Sequence, residues 1–288
     1  MISKAEIARN ALKDALKFRL KNGGILTNPI DIFQFATKLG IEVRFVDYPS
    51  LEAMYIKDNP HRIIISSQRP NGRQVFDCAH ELGHFYYGHG SKIDEFQNTD
   101  SKINKFDPEE FAADCFAGYL LMPKTLVEYA FTQRNLEIAN CRDLDIYSIA
   151  NWIGVGYNTL LFHMTTSLKL ISFEKAKKLQ LSTPKDIRER FIPNADNNSL
   201  IVVDYNWIGC AIDAQVGDYL LLPPEVLLAE KTATMFDKNS ERIIFRAVKP
   251  GIGRFYSSCP PWAAYLRVSR KGYTGRSIFR HLEDAEYV

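Results

Sequence analysis

Two histidines four residues apart constrain this chain more than anything else in it. His80 and His84 stand in the run Gln74 to Tyr87, where Val75, Ala79, Leu82 and Tyr86 recur at helical spacing. Positions four apart project from one face of a helix, so both imidazoles point the same way. With Glu81 the run reads His80-Glu81-Leu82-Gly83-His84. Two imidazoles at this spacing converge on one zinc ion, and the glutamate beside the first is placed to take a proton from an activated water. Either histidine alone would read as a surface residue of an amphipathic helix. The pair, with the glutamate and the helical pattern around it, points to catalysis by Glu81 and one zinc ion per chain held by His80 and His84.

A catalytic zinc ion takes three protein ligands and keeps a fourth position for water, so a further ligand is required. The stretch Pro108 to Met122 reads as the next helix, with Pro108 in its first turn and Pro123 stopping it. Glu110 lies on it, and Asp114 follows one turn later, where it can accept a hydrogen bond from a ligating histidine and fix its tautomer. Glu109, His89 and Asp94 compete for the role. Glu109 is about 100° around the helix from Glu110 and has no acid one turn on. His89 stands nine residues after His80, and Gly88 four after His84, each one position away from the pattern of three-histidine zinc motifs. Glu110 ranks first. His89, Tyr86 and Tyr87 are close enough in sequence to stabilise an oxyanion or touch substrate, with packing the favoured reading of the two tyrosines.

The rest of the chain predicts an α+β fold. A helix ending at Gly23-Gly24 and a second over Asp31 to Leu39 precede three short strands, Ile41 to Val46, Met54 to Lys57 and Arg62 to Ser66. These predict a small antiparallel sheet, with Met54 to Lys57 as a free edge on which a substrate could lie as an added strand. From Asp145 to Leu168 the pattern is helix, tight turn at Gly154 to Gly156, helix, resembling a helix-turn-helix. Its second helix carries no Lys or Arg to meet phosphate, so packing is favoured over DNA binding. The polar break at residues 193–198 is the candidate linker. Beyond it, short apolar runs separated by Gly, Pro, Asn and Asp predict a mainly β domain. The expected divisions are 1–140, 141–193 and 199–288, the last a recognition or sensor domain.

Composition excludes several classes. Apolar residues make up 46% and charged residues 24%, as in soluble globular proteins, and the net charge of +2 is too small for whole-surface attraction to nucleic acid or anionic lipid. No stretch is apolar for long enough to span a membrane or serve as an export signal. Five unpaired-looking cysteines argue for reduced thiols and a cytoplasmic setting. Near the C-terminus, Arg267, Arg270, Lys271, Arg276 and Arg280 form a basic run with Tyr273 and Phe279 interleaved. Nucleic-acid contact is one reading of it, and a solvated strand edge is the favoured one. Trp207, Trp262 and Tyr265 read as core before they read as a recognition surface.

The segment Ala79 to His84, followed by Glu110-Phe111-Ala112-Ala113-Asp114-Cys115-Phe116-Ala117 and Leu120-Leu121-Met122-Pro123, resembles the ImmA/IrrE metallopeptidases. The resemblance spans roughly residues 1–170. It implies a zincin-like helical peptidase domain, zinc on His80, His84 and Glu110, and Glu81 as catalytic acid and base. Related zinc peptidases place an aspartate four residues after the ligating glutamate, as Asp114 stands here, although many ImmA/IrrE members carry Asn there. The family further implies an intracellular endopeptidase that cleaves a partner transcriptional repressor or antitoxin-like regulator, in gene regulation, stress response or mobile elements. The alternative is a non-catalytic regulator that uses the peptidase fold and the basic C-terminal region to bind protein or nucleic acid.

Overall fold

The computed structural model describes residues 3–90, 92–95 (backbone only), 106–194 and 196–282. The Asp94 side chain, residue 195 of the expected linker and residues 283–288 lie outside the described set. The helices are α1 (Lys4–Lys21), α2 (Ile32–Lys38), α3 (Asn71–Tyr87), α4 (Pro108–Leu121), α5 (Lys124–Gln133), α6 (Asp143–Ile153), α7 (Tyr157–Thr166), α8 (Phe173–Gln180) and α9 (Pro184–Glu189). The strands of the first half are β1 (Glu42–Val46), β2 (Leu51–Ile56), β3 (Arg62–Ser66) and β4 (Lys92–Glu95). Those of the second are β5 (Leu200–Val202), β6 (Ile212–Gln215), β7 (Tyr219–Leu222), β8 (Leu227–Leu228), β9 (Ala233–Lys238), β10 (Ile243–Ala247), β11 (Gly251–Ser258), β12 (Pro261–Ser269) and β13 (Gly275–Arg276). The fold is α+β. Among the described residues no helix is long and apolar enough to cross a membrane.

The chain divides into two compact units. The first takes in residues up to Tyr129, with Ile153–Val155 and Thr274–Ile278. Local signals set its helix ends. Asp31 accepts the Gln34 amide at 3.1 Å and starts α2, while Gly40, at φ 79°, turns the chain out of it into β1. Its sheet has the order β13-β1-β3-β2-β4. β2 and β3 form the expected antiparallel hairpin, but β1 runs parallel to β3, so the sheet is mixed. Nor is β2 a free edge, because β4 pairs antiparallel along its outer side. The alternating residues Val43, Phe45, Ala53, Tyr55, Ile63 and Ile65 are buried on one face. Each of the larger side chains among them contributes about 1.5–3 kcal/mol by leaving water.

On that layer sits α3, joined to α1, α2 and α4 by an aromatic cluster. Phe18 meets Phe35 and Tyr86 edge-on at 5.7 and 5.3 Å, and Tyr86 stacks on Phe116 at 5.1 Å. Arg19, fully buried, ties α1 to α4 and to the segment before α2 through carbonyls: it donates to Ile25 at 2.8 Å, to Leu120 at 2.5 Å and to Asn28. Burial lowers its pKa to about 10, which still leaves it charged at neutral pH. The bond to Leu120 fixes the end of α4, the helix that carries Glu110.

The second unit holds α6 to α9 and two four-stranded sheets, ordered β5-β7-β10-β9 and β6-β12-β11-β8. The apolar face of α7 is buried through Tyr157, Leu160, Leu161 and Met164. Tyr147 on α6 donates to the Leu200 carbonyl at 2.6 Å, and the Val202 amide donates to Asn151 at 2.8 Å, so β5 is held against the helix. Trp207 is buried and Tyr265 exposed. Much of the basic run meets acids. Arg267 forks onto Asp213 at 2.6 and 2.7 Å, Arg280 reaches the same carboxylate at 2.7 Å, and Arg276 pairs with Glu42 at 3.1 Å. Desolvation opposes the charge on Asp213, but Arg280 and Arg267 outweigh it and hold the carboxylate below its ordinary pKa.

Candidate metal centre

Two neighbouring helices build the site. α3 runs through the His80–His84 segment and buries it: His80 is 8%, Glu81 1% and His84 0% exposed. α4 begins at Asp107, whose carboxylate accepts the Glu109 amide at 2.8 Å and the Glu110 amide at 3.4 Å, with Pro108 in the first turn. That cap fixes Glu110 at the start of the helix. The two helices approach closely at Gly83, where a Cβ would meet the Ala113 Cα at 3.0 Å and its carbonyl oxygen at 3.3 Å. Glycine within the motif is therefore a packing requirement of this pair, and Ala113 lies one turn after Glu110 on the opposed helix.

The contact brings three ligand atoms together. His80 Nε2 lies 3.0 Å from His84 Nε2 and 3.2 Å from Glu110 Oε2, and His84 Nε2 lies 3.4 Å from Glu110 Oε2. A tetrahedral ion with bonds of about 2.0–2.1 Å keeps its ligand atoms about 3.3–3.4 Å apart. The set fits zinc in donor type and in span, and among the described residues it is the group of His, Cys, Asp and Glu able to hold an ion. The remaining ring nitrogens face outward: His80 Nδ1 is 2.9 Å from Asp114 Oδ1, and His84 Nδ1 is 2.8 Å from His89 Nδ1.

The surroundings fix the charge state of the neighbours. Burial raises the pKa of Asp77, one turn before Glu81, to about 6, opposed by Arg73 at 2.9 Å. Burial likewise pushes the Cys115 thiol up to about 11, so it is no thiolate at neutral pH. The Tyr87 hydroxyl donates to Asp14 at 3.4 Å, and Tyr86 stacks on Phe116 in the aromatic cluster. Spacing alone identified His80, Glu81, His84, Glu110 and Asp114 as neighbours. It missed His89 as the partner of His84, for which the only signal is the helix-ending Gly88 before it.

A helical layer over a small mixed sheet thus presents, between two helices, a histidine-glutamate set of the kind that can hold a metal ion. Residues 36–165, just under half of the chain, match the family model of peptidase M78, described as the IrrE N-terminal-like domain. The resemblance to ImmA/IrrE is thus borne out for this segment. No curated protein matches the chain. Among solved structures it is similar to a Mycobacterium tuberculosis transcriptional regulator, with a TM-score of 0.35 and 16% identity over 63% of this chain and 49% of that one. The chain therefore spans about half the length of that regulator.

Proposed function

We propose that this protein is a zinc-dependent endopeptidase that cleaves a partner regulatory protein, a transcriptional repressor or antitoxin-like factor. The convergence of His80 Nε2, His84 Nε2 and Glu110 Oε2 at 3.0–3.4 Å carries this reading. In such a site zinc supplies Lewis acidity and makes water nucleophilic at neutral pH. His80, His84 and Glu110 would hold the ion, and Asp114 would hold the His80 tautomer. Glu81 follows His80 on the same helix and is almost wholly buried. Its carboxylate takes the proton from the attacking water and returns it to the leaving amine, the double role of a general acid and base. Regulatory proteins as the substrate class rest on the family resemblance, and residues 199–288 are read as a recognition or sensor domain. All five cysteines are free, which supports a reducing, cytoplasmic setting.

Purified protein incubated with candidate regulators, with and without a zinc chelator, tests the reading by mass spectrometry of fragments. Glu81→Gln is expected to retain about one equivalent of zinc and to lose cleavage, since the ligands stay and the proton carrier goes. Cleavage that persists after zinc removal, or in the Gln variant, would refute it.

A further inference from the structure

His84 uses both of its ring nitrogens. Nε2 faces His80 and Glu110, while Nδ1 lies 2.8 Å from Nδ1 of His89, the two rings 5.0 Å apart at centroid. The backbone brings this about. α3 ends in a left-handed glycine, Gly88 at φ 70°, with the Gly88 amide donating to the Phe85 carbonyl at 3.2 Å and the His89 amide to the His84 carbonyl at 3.0 Å. This is the paired closure of a Schellman ending, and it folds residue 89 back over the turn that carries His84. Tyr87 stacks on the His89 ring, nearly parallel to it at 25° and 5.6 Å.

We propose that His89 is a positioning residue of the metal centre: it accepts a hydrogen bond from Nδ1–H of His84 and so holds the tautomer in which His84 Nε2 is the ligand atom. The proposal rests on the zinc reading above. An imidazole that ligates through Nε2 carries its proton on Nδ1, and that N–H needs an oriented acceptor. His84 is fully buried, so an unmet N–H there would keep its whole desolvation cost. His89 Nδ1 stands at hydrogen-bond distance, and acting as acceptor it carries its own proton on Nε2. The two imidazoles are therefore held by unlike partners, His80 by the carboxylate of Asp114 and His84 by a neutral ring. The offset of His89 from the spacing of a third histidine ligand has the same origin, since the glycine turn delivers its ring to the back of His84.

The test compares His89→Asn, whose Oδ1 takes the place of the imidazole Nδ1, with His89→Leu, which has similar bulk and no acceptor. Zinc affinity of the full-length protein is measured by competition with a chromogenic chelator, and thermal unfolding of the zinc-free proteins checks the fold. The Leu variant is expected to bind zinc about 10–100-fold more weakly, and the Asn variant within about threefold of wild type. Gly88→Ala keeps both histidines but opposes the left-handed turn, and should weaken zinc in the same direction should the Leu variant not fold. Equal affinity in wild type, Leu and Ala variants overturns the proposal. So does an equal loss in Asn and Leu variants, which would mark a packing role. Wild-type protein that takes up no zinc at all overturns the zinc reading itself, an outcome distinct from both.

Discussion

Asp114 Oδ1 lies 2.9 Å from His80 Nδ1, one helical turn beyond Glu110, so a single helix supplies both an acid for the centre and the anchor of the opposing imidazole. Asp114→Ala removes that anchor. Because the aspartate is partly exposed, its loss leaves no buried cavity, and the fold should keep its unfolding temperature within about 2 °C. Zinc affinity, measured by chelator competition, is expected to fall about 10–100-fold, with Asp114→Asn intermediate because its amide oxygen still accepts.

Gly83 sets how closely the two helices approach. In Gly83→Ala the added methyl would stand 3.0 Å from the Ala113 Cα, so α4 must retreat by a few tenths of an ångström and carry Glu110 with it. Stability should drop by about 1–3 kcal/mol, the usual cost of overpacking. Zinc should bind more weakly as well, because Glu110 moves with the helix. Urea unfolding and zinc titration of the same variant read the two effects, and an unchanged zinc affinity would show that Glu110 reaches the ion by side-chain adjustment.

How legible each part was follows from how local its cause is. His80, His84, Glu110 and Asp114 were readable because side-chain direction on a helix follows from spacing. Pro123 was read as the stop of α4; it also opens α5, its carbonyl accepting the Leu126 amide at 2.9 Å, since proline suits a first helical turn. β13 was not readable: two residues near the C-terminus pair with β1, and a pairing across such a sequence distance leaves no local pattern. The acids that meet the basic run, Asp213 and Glu42, leave no local pattern for the same reason, being remote from it in sequence. Spacing offers His89 as a ligand or as an oxyanion or substrate contact and does not reveal its place beside His84 Nδ1, because the direction of its ring depends on the φ of Gly88.

Arg19 gives a test of how α4 is held. Its guanidinium donates to the Ile25, Asn28 and Leu120 carbonyls from a fully buried position. Arg19→Leu leaves those acceptors without their donor and is expected to cost about 2–4 kcal/mol, several groups each losing a charge-assisted bond. Arg19→Lys should recover only part, since one ammonium cannot reproduce the planar fork. Urea midpoints of the three proteins check the order, and a Lys variant as stable as wild type would show that charge alone suffices.

Asp143 and Arg190 carry a prediction for acid stability. The guanidinium meets both carboxylate oxygens, at 3.1 and 2.5 Å, and this hydrogen bonding lowers the Asp143 pKa from 3.8 to about 2. A carboxyl depressed in the folded state adds stability that is complete above its unfolded pKa and is lost as the proton binds. The contribution is thus present at pH 7, declines below about pH 4 and is lost as the pH falls through about 2. Since the Arg190 side chain is 47% exposed, screening limits the pair to about 1 kcal/mol. Asp143→Asn should therefore be less stable than wild type by that amount at neutral pH, and the two unfolding curves should converge as the pH is taken from 4 to 2. A gap that persists undiminished at pH 2 would assign the loss to Asp143 acting as a neutral hydrogen-bonding group, for instance toward the Leu144 amide at 2.7 Å.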